Sequence, residues 1–153
     1  MNYSRAIVMK RFSFAAVLIP DTVDGGFVVK FRDLPEAITQ GDTQQQALAE
    51  AADCLEEAIA ARIDEKLDIP YPSLPLEGEY SIAVPIQTAL KAALHLAMKE
   101  AQISKIQLAH LLKVDEKEIR RILDPRHGTK LLTIERALAA LGQQIELQLI
   151  SSS

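Results

Sequence analysis

The chain of 153 residues has no tryptophan and a single cysteine, Cys54. One thiol cannot close a disulfide within the chain or supply a cysteine-based metal cluster. Aromatic residues make up only 5%, so a core must be built mostly from Leu, Ile, Val and Ala. No apolar run approaches the ~18 residues that a membrane span requires. His95, His110 and His127 lack ligand spacing, and no metal site is expected from them. No glycine-rich phosphate loop is present, so no cofactor is expected. What is present is ordinary for a globular protein, with 48% apolar and 25% charged residues. Those fractions exclude a disordered tail or a fibrous repeat. At this length a folded chain buries roughly 68–70% of its unfolded surface, enough for one core or two small ones.

The net charge of −4 is unevenly spread. Residues 1–77 carry 7 basic and 13 acidic side chains, whereas 78–153 carry 10 basic and 8 acidic. The stretch 104–130 alone holds 7 basic against 4 acidic residues. This asymmetry points to a basic partner for the first half and an anionic one for the second. Near the start, Lys10-Arg11 precede the apolar run Phe12–Ile19. Pro20-Asp21 ends that run with no small-residue cleavage site after it, so it reads as a strand, not a leader, and a cytoplasmic protein is expected.

Phe12–Ile19 and Phe27–Phe31 flank Asp24-Gly25-Gly26, a tight-turn signal, and form a hairpin. Ala37–Gln40 is a short third strand, closed by Gly41-Asp42. Thr43 to Gln46 is a capping box that opens a helix over about 44–65. Cys54 lies beside its apolar stripe with no neighbouring His, so it packs and does not react. The segment 68–79 contains Pro70, Pro72 and Pro75 and cannot be helical. Tyr80–Val84 alternates like a strand and returns to the first sheet. From Pro85 the pattern is helical. Apolar residues at Ile86, Ala89, Leu90, Ala93, Leu94, Ala97 and Met98 mark one helix. Ser104–Leu112 and Asp115–Leu123 mark two short ones, and Thr133 caps a fourth that ends at Gly142. Gln143–Ile150 alternates Ile145, Leu147 and Leu149 with polar residues and reads as a strand, a candidate dimer element because an exposed apolar edge invites pairing between chains, with packing inside its own chain as the competing reading.

The stretch 103–123 carries the functional signal. Leu108, Ala109, Leu112, Val114, Ile119 and Ile122 mark the buried positions of two short helices at a tight turn. This is the spacing of a phage-repressor helix-turn-helix. Lys113 stands where that class usually has Gly, at a cost of about 1 kcal/mol if the position is left-handed. Asp115–Leu123 is then the recognition helix, with Glu116, Lys117, Arg120 and Arg121 facing out. Arg can bond two acceptors on guanine, and Glu can accept from cytosine. Lys105 in the preceding helix, and Arg126, His127 and Lys130 in the following loop, would hold phosphates. Repressors of this type bind two half-sites as dimers, so a homodimer is the minimum assembly and a homotetramer the larger option.

Taken with Ile19-Pro20-Asp21, Asp24–Phe27 and the run Phe31-Arg32-Asp33-Leu34-Pro35-Glu36-Ala37-Ile38-Thr39-Gln40-Gly41-Asp42-Thr43, the chain resembles the HicB antitoxin family over about residues 9–150. Met9 looks like an alternative family start, with 1–8 as an extension. The resemblance implies an α+β protein. Its domain over 1–84 would be a partial RNase H-like fold, an antiparallel sheet plus helix, with the Pro-rich loop 68–79 inside it. An all-α helix-turn-helix domain with a short C-terminal strand would follow over 85–150. The resemblance implies a HicA-type toxin as partner, a small basic protein that cleaves mRNA, whose active site the first domain covers. Asp24, Phe27, Arg32 and Asp33 are the candidate toxin contacts. The second domain would bind double-stranded operator DNA and repress the operon. Two other classes compete. A nuclease could gather Asp21, Asp24, Asp33, Glu36 and Asp42 around metals, but these acids sit in turns where Asp is common for local reasons, and no enzyme is expected. A stand-alone repressor with a ligand-sensing first domain is the remaining alternative.

Overall fold

A computed structural model describes residues 10–151. The expectation for Met9 and residues 1–8 lies outside the described residues. The chain divides into two compact units. The first runs to Arg62 and resumes over Asp68–Pro85; the second holds Ile63–Leu67 and the chain from Ile86 onward. The class is α+β, as expected, with a four-stranded antiparallel sheet and five helices among the described residues.

The first unit contains β1 (Ser13–Pro20), β2 (Phe27–Phe31), β3 (Ile38–Gly41), most of α1 (Gln44–Asp64) and β4 (Tyr80–Ala83). The sheet order is β3-β2-β1-β4, so the last strand returns beside the first. In the β1–β2 hairpin, the Asp21 carboxylate accepts from the Val23 and Asp24 amides, and Gly25 and Gly26 take positive φ. Those two amides hold the Asp21 carboxyl below its ordinary range. Register pairs Phe14 with Ile82, Ala16 with Phe31 and Leu18 with Val29, which puts these side chains on one face. Gly41, opposite Phe27, belongs to that face. There its α-carbon abuts the start of α1, where a Cβ would lie 2.4 Å from the Ala47 amide nitrogen. The β3–α1 junction therefore closes at a distance only glycine permits, and Ala47, Ala51, Leu55, Ala58 and Ile59 are buried along α1. The expected capping box is present with one change. Thr43 accepts from the Gln46 amide, but the Gln46 side chain accepts from the Asp42 amide instead of that of Thr43.

The second unit packs α2 (Ile86–Ala101), α3 (Lys105–Leu112), α4 (Glu116–Leu123) and α5 (Leu131–Ala140) around Leu94, Leu108, Ile119, Ile122, Ile134, Ala137 and Leu138. Two expectations are corrected. The helix assigned a Thr133 cap begins at Leu131, with Lys130 at the N-cap and no side-chain cap, because the apolar period fixes the buried face and not the first turn. Residues 143–150, expected to be a strand, pair with no strand among the described residues. Alternation creates one apolar edge, but a strand also needs a neighbour to bond its backbone. No described helix is long and apolar enough to cross a membrane.

Replacing Gly41 with Ala will force the β3–α1 junction apart. Overpacking of this kind typically costs about 1–3 kcal/mol. Urea denaturation should show a lower midpoint, with the larger loss for Gly41→Val.

Candidate nucleic-acid interface and partner surface

Ser104 starts α3 as a complete capping box. Its hydroxyl accepts from the Gln107 amide, and the Gln107 side chain accepts from the Ser104 amide. The helix stops at Lys113, whose φ of 55° and ψ of 44° are left-handed. The residue expected to be strained is therefore strained, and the turn closes with the Val114 amide bonded to the Ala109 carbonyl. Asp115 then caps α4 by accepting from the Glu118 amide at 2.8 Å. The outward side of α4 is strongly charged and its inward side buries Ile119, Ile122 and Leu123. An open groove of about 740 Å³ runs along α3 and α4, lined by Lys105, Ile106, His110, Lys113, Glu116 and Ile119.

The C-terminus of α4 is fastened by α2. Gln87, Lys91 and His95 are spaced four apart and lie in one row on that helix. The Lys91 ammonium donates to the carbonyls of Arg121 at 3.0 Å and Ile122 at 2.6 Å, and to the Thr129 hydroxyl at 2.6 Å. His95 Nε2 donates to the Leu123 carbonyl at 2.7 Å. Gln87 exchanges two hydrogen bonds with the Thr129 backbone. Three of the last carbonyls of α4, which no helix can satisfy internally, thus receive side-chain donors. The Lys91 side chain is fully buried. Burial pulls its pKa down from 10.5 to about 8, against an upward pull from Asp124. Burial likewise lowers His95, opposed by its bond to the Leu123 carbonyl. The sequence did contain a signal for this row. Lys91 sits at the buried positions Thr88, Lys91, Ala92, where a lysine is out of place unless partnered.

The residues singled out for nucleic acid are placed as follows. Lys105, Glu116, Lys117, Arg120, Arg121 and Lys130 are all exposed. Arg120 and Glu116 pair along the helix at 2.6 Å, an exposed i,i+4 contact worth only about 0.3–0.5 kcal/mol. Lys117 and Arg121 occupy the same short helix, and Lys105 stands at the start of α3. Arg126 is ion-paired with Asp64, a residue 62 positions away in the chain, whereas the Arg120 pair lies within α4.

In the first unit, Asp24 is exposed and Phe27 half-buried. Arg32 and Asp33 are engaged with the proline-rich segment. The Asp33 carboxylate accepts from both the amide and the hydroxyl of Ser73 at 2.7 Å. Arg32 pairs with Glu79, whose other oxygen accepts from the Leu76 amide. Those contacts hold the Glu79 carboxyl below its ordinary range, the Leu76 amide contributing most. Arg11 donates to the carbonyls of Ile69 and Pro70 and stacks 4.1 Å over the Tyr71 ring. Arg62 reaches the Asp68 carbonyl while it pairs with Glu36. The segment is therefore a strap pinned along its length, not a loose linker. It presents Tyr71, Leu74 and Leu76 to solvent at 72, 82 and 58% exposure. These three were not read as functional in the sequence, although apolar side chains in a segment that cannot join a core were a usable sign.

The lowered pKa of Lys91 gives a pH dependence of known sign. Between about 8 and 10.5 the unfolded chain binds the proton more readily than the folded one, so folding stability contributed by this site rises with pH across that window. Relative to Lys91→Met, the wild-type chain should gain stability as pH is raised from 8 to 10.5, read by denaturant titration at each pH.

Comparison with known proteins bears on both units. Residues 13–93 match the family model described as a HicB-like antitoxin of bacterial toxin–antitoxin systems. The chain is 34% identical over 148 residues to antitoxin HicB 1 of Photorhabdus laumondii, covering 97% of this chain and 94% of that protein. It is 42% identical over 122 residues to antitoxin HicB 2 of the same organism, covering 80% and 86%. Against antitoxin HicB of Escherichia coli K12 it is 32% identical over 134 residues, covering 88% and 97%. A pinned acidic first unit, a capped basic helix in the second and similarity along nearly the whole length agree: this chain belongs to the HicB family of bacterial antitoxins.

Proposed function

We propose that the antitoxin acts through two surfaces. The first unit neutralises a small cationic RNA-cleaving toxin of the HicA type by covering its active site, without catalysis of its own. The second unit is a helix-turn-helix that binds operator DNA as a homodimer or homotetramer and represses its own operon in the cytoplasm. On this reading the first unit is a partial RNase H-like fold. The domains divide at about residues 84 and 85.

The observation that carries the DNA reading is the outer surface of α4. Lys117, Arg120 and Arg121 are exposed on a helix whose N-cap and C-terminal carbonyls are both satisfied. A helix held this way can enter a major groove without fraying, and its arginines can reach base edges while Lys105 and Lys130 meet phosphates. The Glu116–Arg120 pair is weak enough to open when a guanine offers two acceptors. Arg126, already paired with Asp64, serves the fold first and is the weakest of the proposed contacts.

Charge supports the toxin reading. Among the described residues, the first unit holds 5 basic and 12 acidic side chains. Such a surface accelerates encounter with a cationic protein. Affinity then needs apolar anchors at the centre of the contact. The strap supplies them in Tyr71, Leu74 and Leu76, already ordered before binding, which removes part of the entropy cost of association. Asp24 and Phe27 remain proposed contacts. Arg32 and Asp33 contribute by holding the strap in place.

Two measurements test these halves separately. Arg120→Ala and Arg121→Ala should each weaken binding to the DNA upstream of the gene by about 5- to 150-fold, corresponding to about 1–3 kcal/mol per base contact, with fluorescence anisotropy as readout. Unchanged affinity in both would remove α4 as the reading helix. The double variant Leu74→Ser, Leu76→Ser should lose at least ~10-fold in affinity for the toxin encoded beside it, by calorimetry, while DNA binding and melting temperature stay put. The same titration against small molecules would reveal a sensor in place of a toxin binder.

A further inference from the structure

The last residues of α1 pack with the second unit. Residues 63–67 belong to it, whereas Arg62 and the residues before it belong to the first. The helix stops in a turn where the Lys66 amide donates to the Ile63 carbonyl at 3.2 Å. Lys66 has a φ of 57°. Glycine is the residue that ends a helix in this left-handed conformation without strain. A lysine stands there instead, and it is exposed. Its ammonium pairs with no carboxylate among the described residues, so no contact within the fold accounts for the choice.

A second open groove, of about 760 Å³, lies beside the one along α3 and α4, and Lys105 lines both. It brings Lys66 together with Lys105 at the start of α3, Arg120 on α4 and Arg126 in the loop beyond. Two carboxylates, Asp64 and Asp124, also line it. One residue engages both: Asp64 pairs with the Arg126 guanidinium, and Asp124 accepts from the Arg126 amide at 2.9 Å. The exposed cations not committed to these acids are Lys66, Lys105 and Arg120, from three different helices. Positive groups spread along an open groove suit a polyanion that repeats its charge along a line. Lys105 and Arg120 already belong to the proposed DNA surface, and the groove carries that surface on to the end of α1. A helix lying in a major groove is bordered by phosphate backbone, which lysine holds as a point charge.

We infer that Lys66 is a phosphate contact that completes, with Lys105 and Arg120, a clamp on one sugar–phosphate backbone of the operator duplex. The inference rests on the DNA-binding reading of α4 and extends it to a residue that precedes the four helices of the second unit. The clamp carries no base preference, because it touches only what every sequence shares. The turn that ends α1 thereby takes part in DNA binding, and the lysine in its left-handed position has a use.

The test measures affinity of the full-length chain by fluorescence anisotropy between about 50 and 200 mM salt. The duplexes are the DNA upstream of the gene and a shuffled sequence of the same length. Lys66→Gln should weaken binding to both by the same factor, about 3- to 10-fold, and lower the slope of log affinity against log salt by about 0.9, as one lost phosphate contact requires. Lys66→Arg should restore both quantities. Lys30→Gln removes the same charge from an exposed lysine of the first unit and should alter neither. Wild-type affinity and slope in Lys66→Gln, a loss confined to the operator duplex, or an equal loss in Lys30→Gln would each overturn the inference. In those cases weakened binding by Arg120→Ala or Arg121→Ala still leaves α4 as the reading helix. If neither arginine matters, the α4 reading fails and the clamp fails with it.

Discussion

Lys91 carries a full positive charge into the interior of the second unit, and the placement of α4 follows from how that charge is satisfied. Taking an ammonium out of water costs several kcal/mol. Part of that cost is offset by two terminal carbonyls of α4 and one hydroxyl, each charge-assisted bond contributing about 1.5–3 kcal/mol, in the negative field at a helix C-terminus; the remainder shows in the pKa lowered to about 8. His95 completes the set at Leu123 and Gln87 secures the loop beyond. An eight-residue helix is too short to be stable by itself in water. Here it is held by apolar residues below, by Asp115 at one end and by α2 at the other.

The first unit solves a different problem with the same means. Its proline-rich strap has no regular secondary structure to satisfy its backbone, so side chains do it. Arg11, Asp33, Arg62 and Glu79 each bond a main-chain group of the segment. Most of these contacts are exposed, and individually each is worth little. Acting together on twelve residues rich in proline, whose unfolded freedom is already reduced, they are enough to fix a conformation. Apolar side chains held outward by such a frame mark a contact surface more clearly than the same residues in a mobile loop.

Much of this was legible in the sequence, because the signals were local. The Asp24-Gly25-Gly26 turn, the Thr43 cap, the apolar stripe of α1 and the Asp115 cap depend on neighbours within one turn of chain, and each lies where its pattern placed it. Long-range partners were less legible. Arg32 and Asp33 read in the sequence as candidate toxin contacts, yet they bond within the chain to partners 47 and 40 residues away. Lys91 stands among the buried positions of α2, but its partners are about 30 residues downstream, so the pattern of that helix does not name them. The 143–150 alternation was correctly seen as apolar on one side, but one chain offers no neighbour for it. Periodicity reports which side chains are hidden together; it does not report what hides them.

The two-ended fastening of α4 has an evolutionary consequence if that helix reads DNA. Its stability resides in Ile119, Ile122, Leu123 and groups on other elements, whereas Lys117, Arg120 and Arg121 contribute almost nothing to it. Sequence preference can drift at these outward positions while the scaffold persists. Duplicated copies within one genome could acquire separate targets by a few surface changes, and so escape cross-talk without having to rebuild a fold.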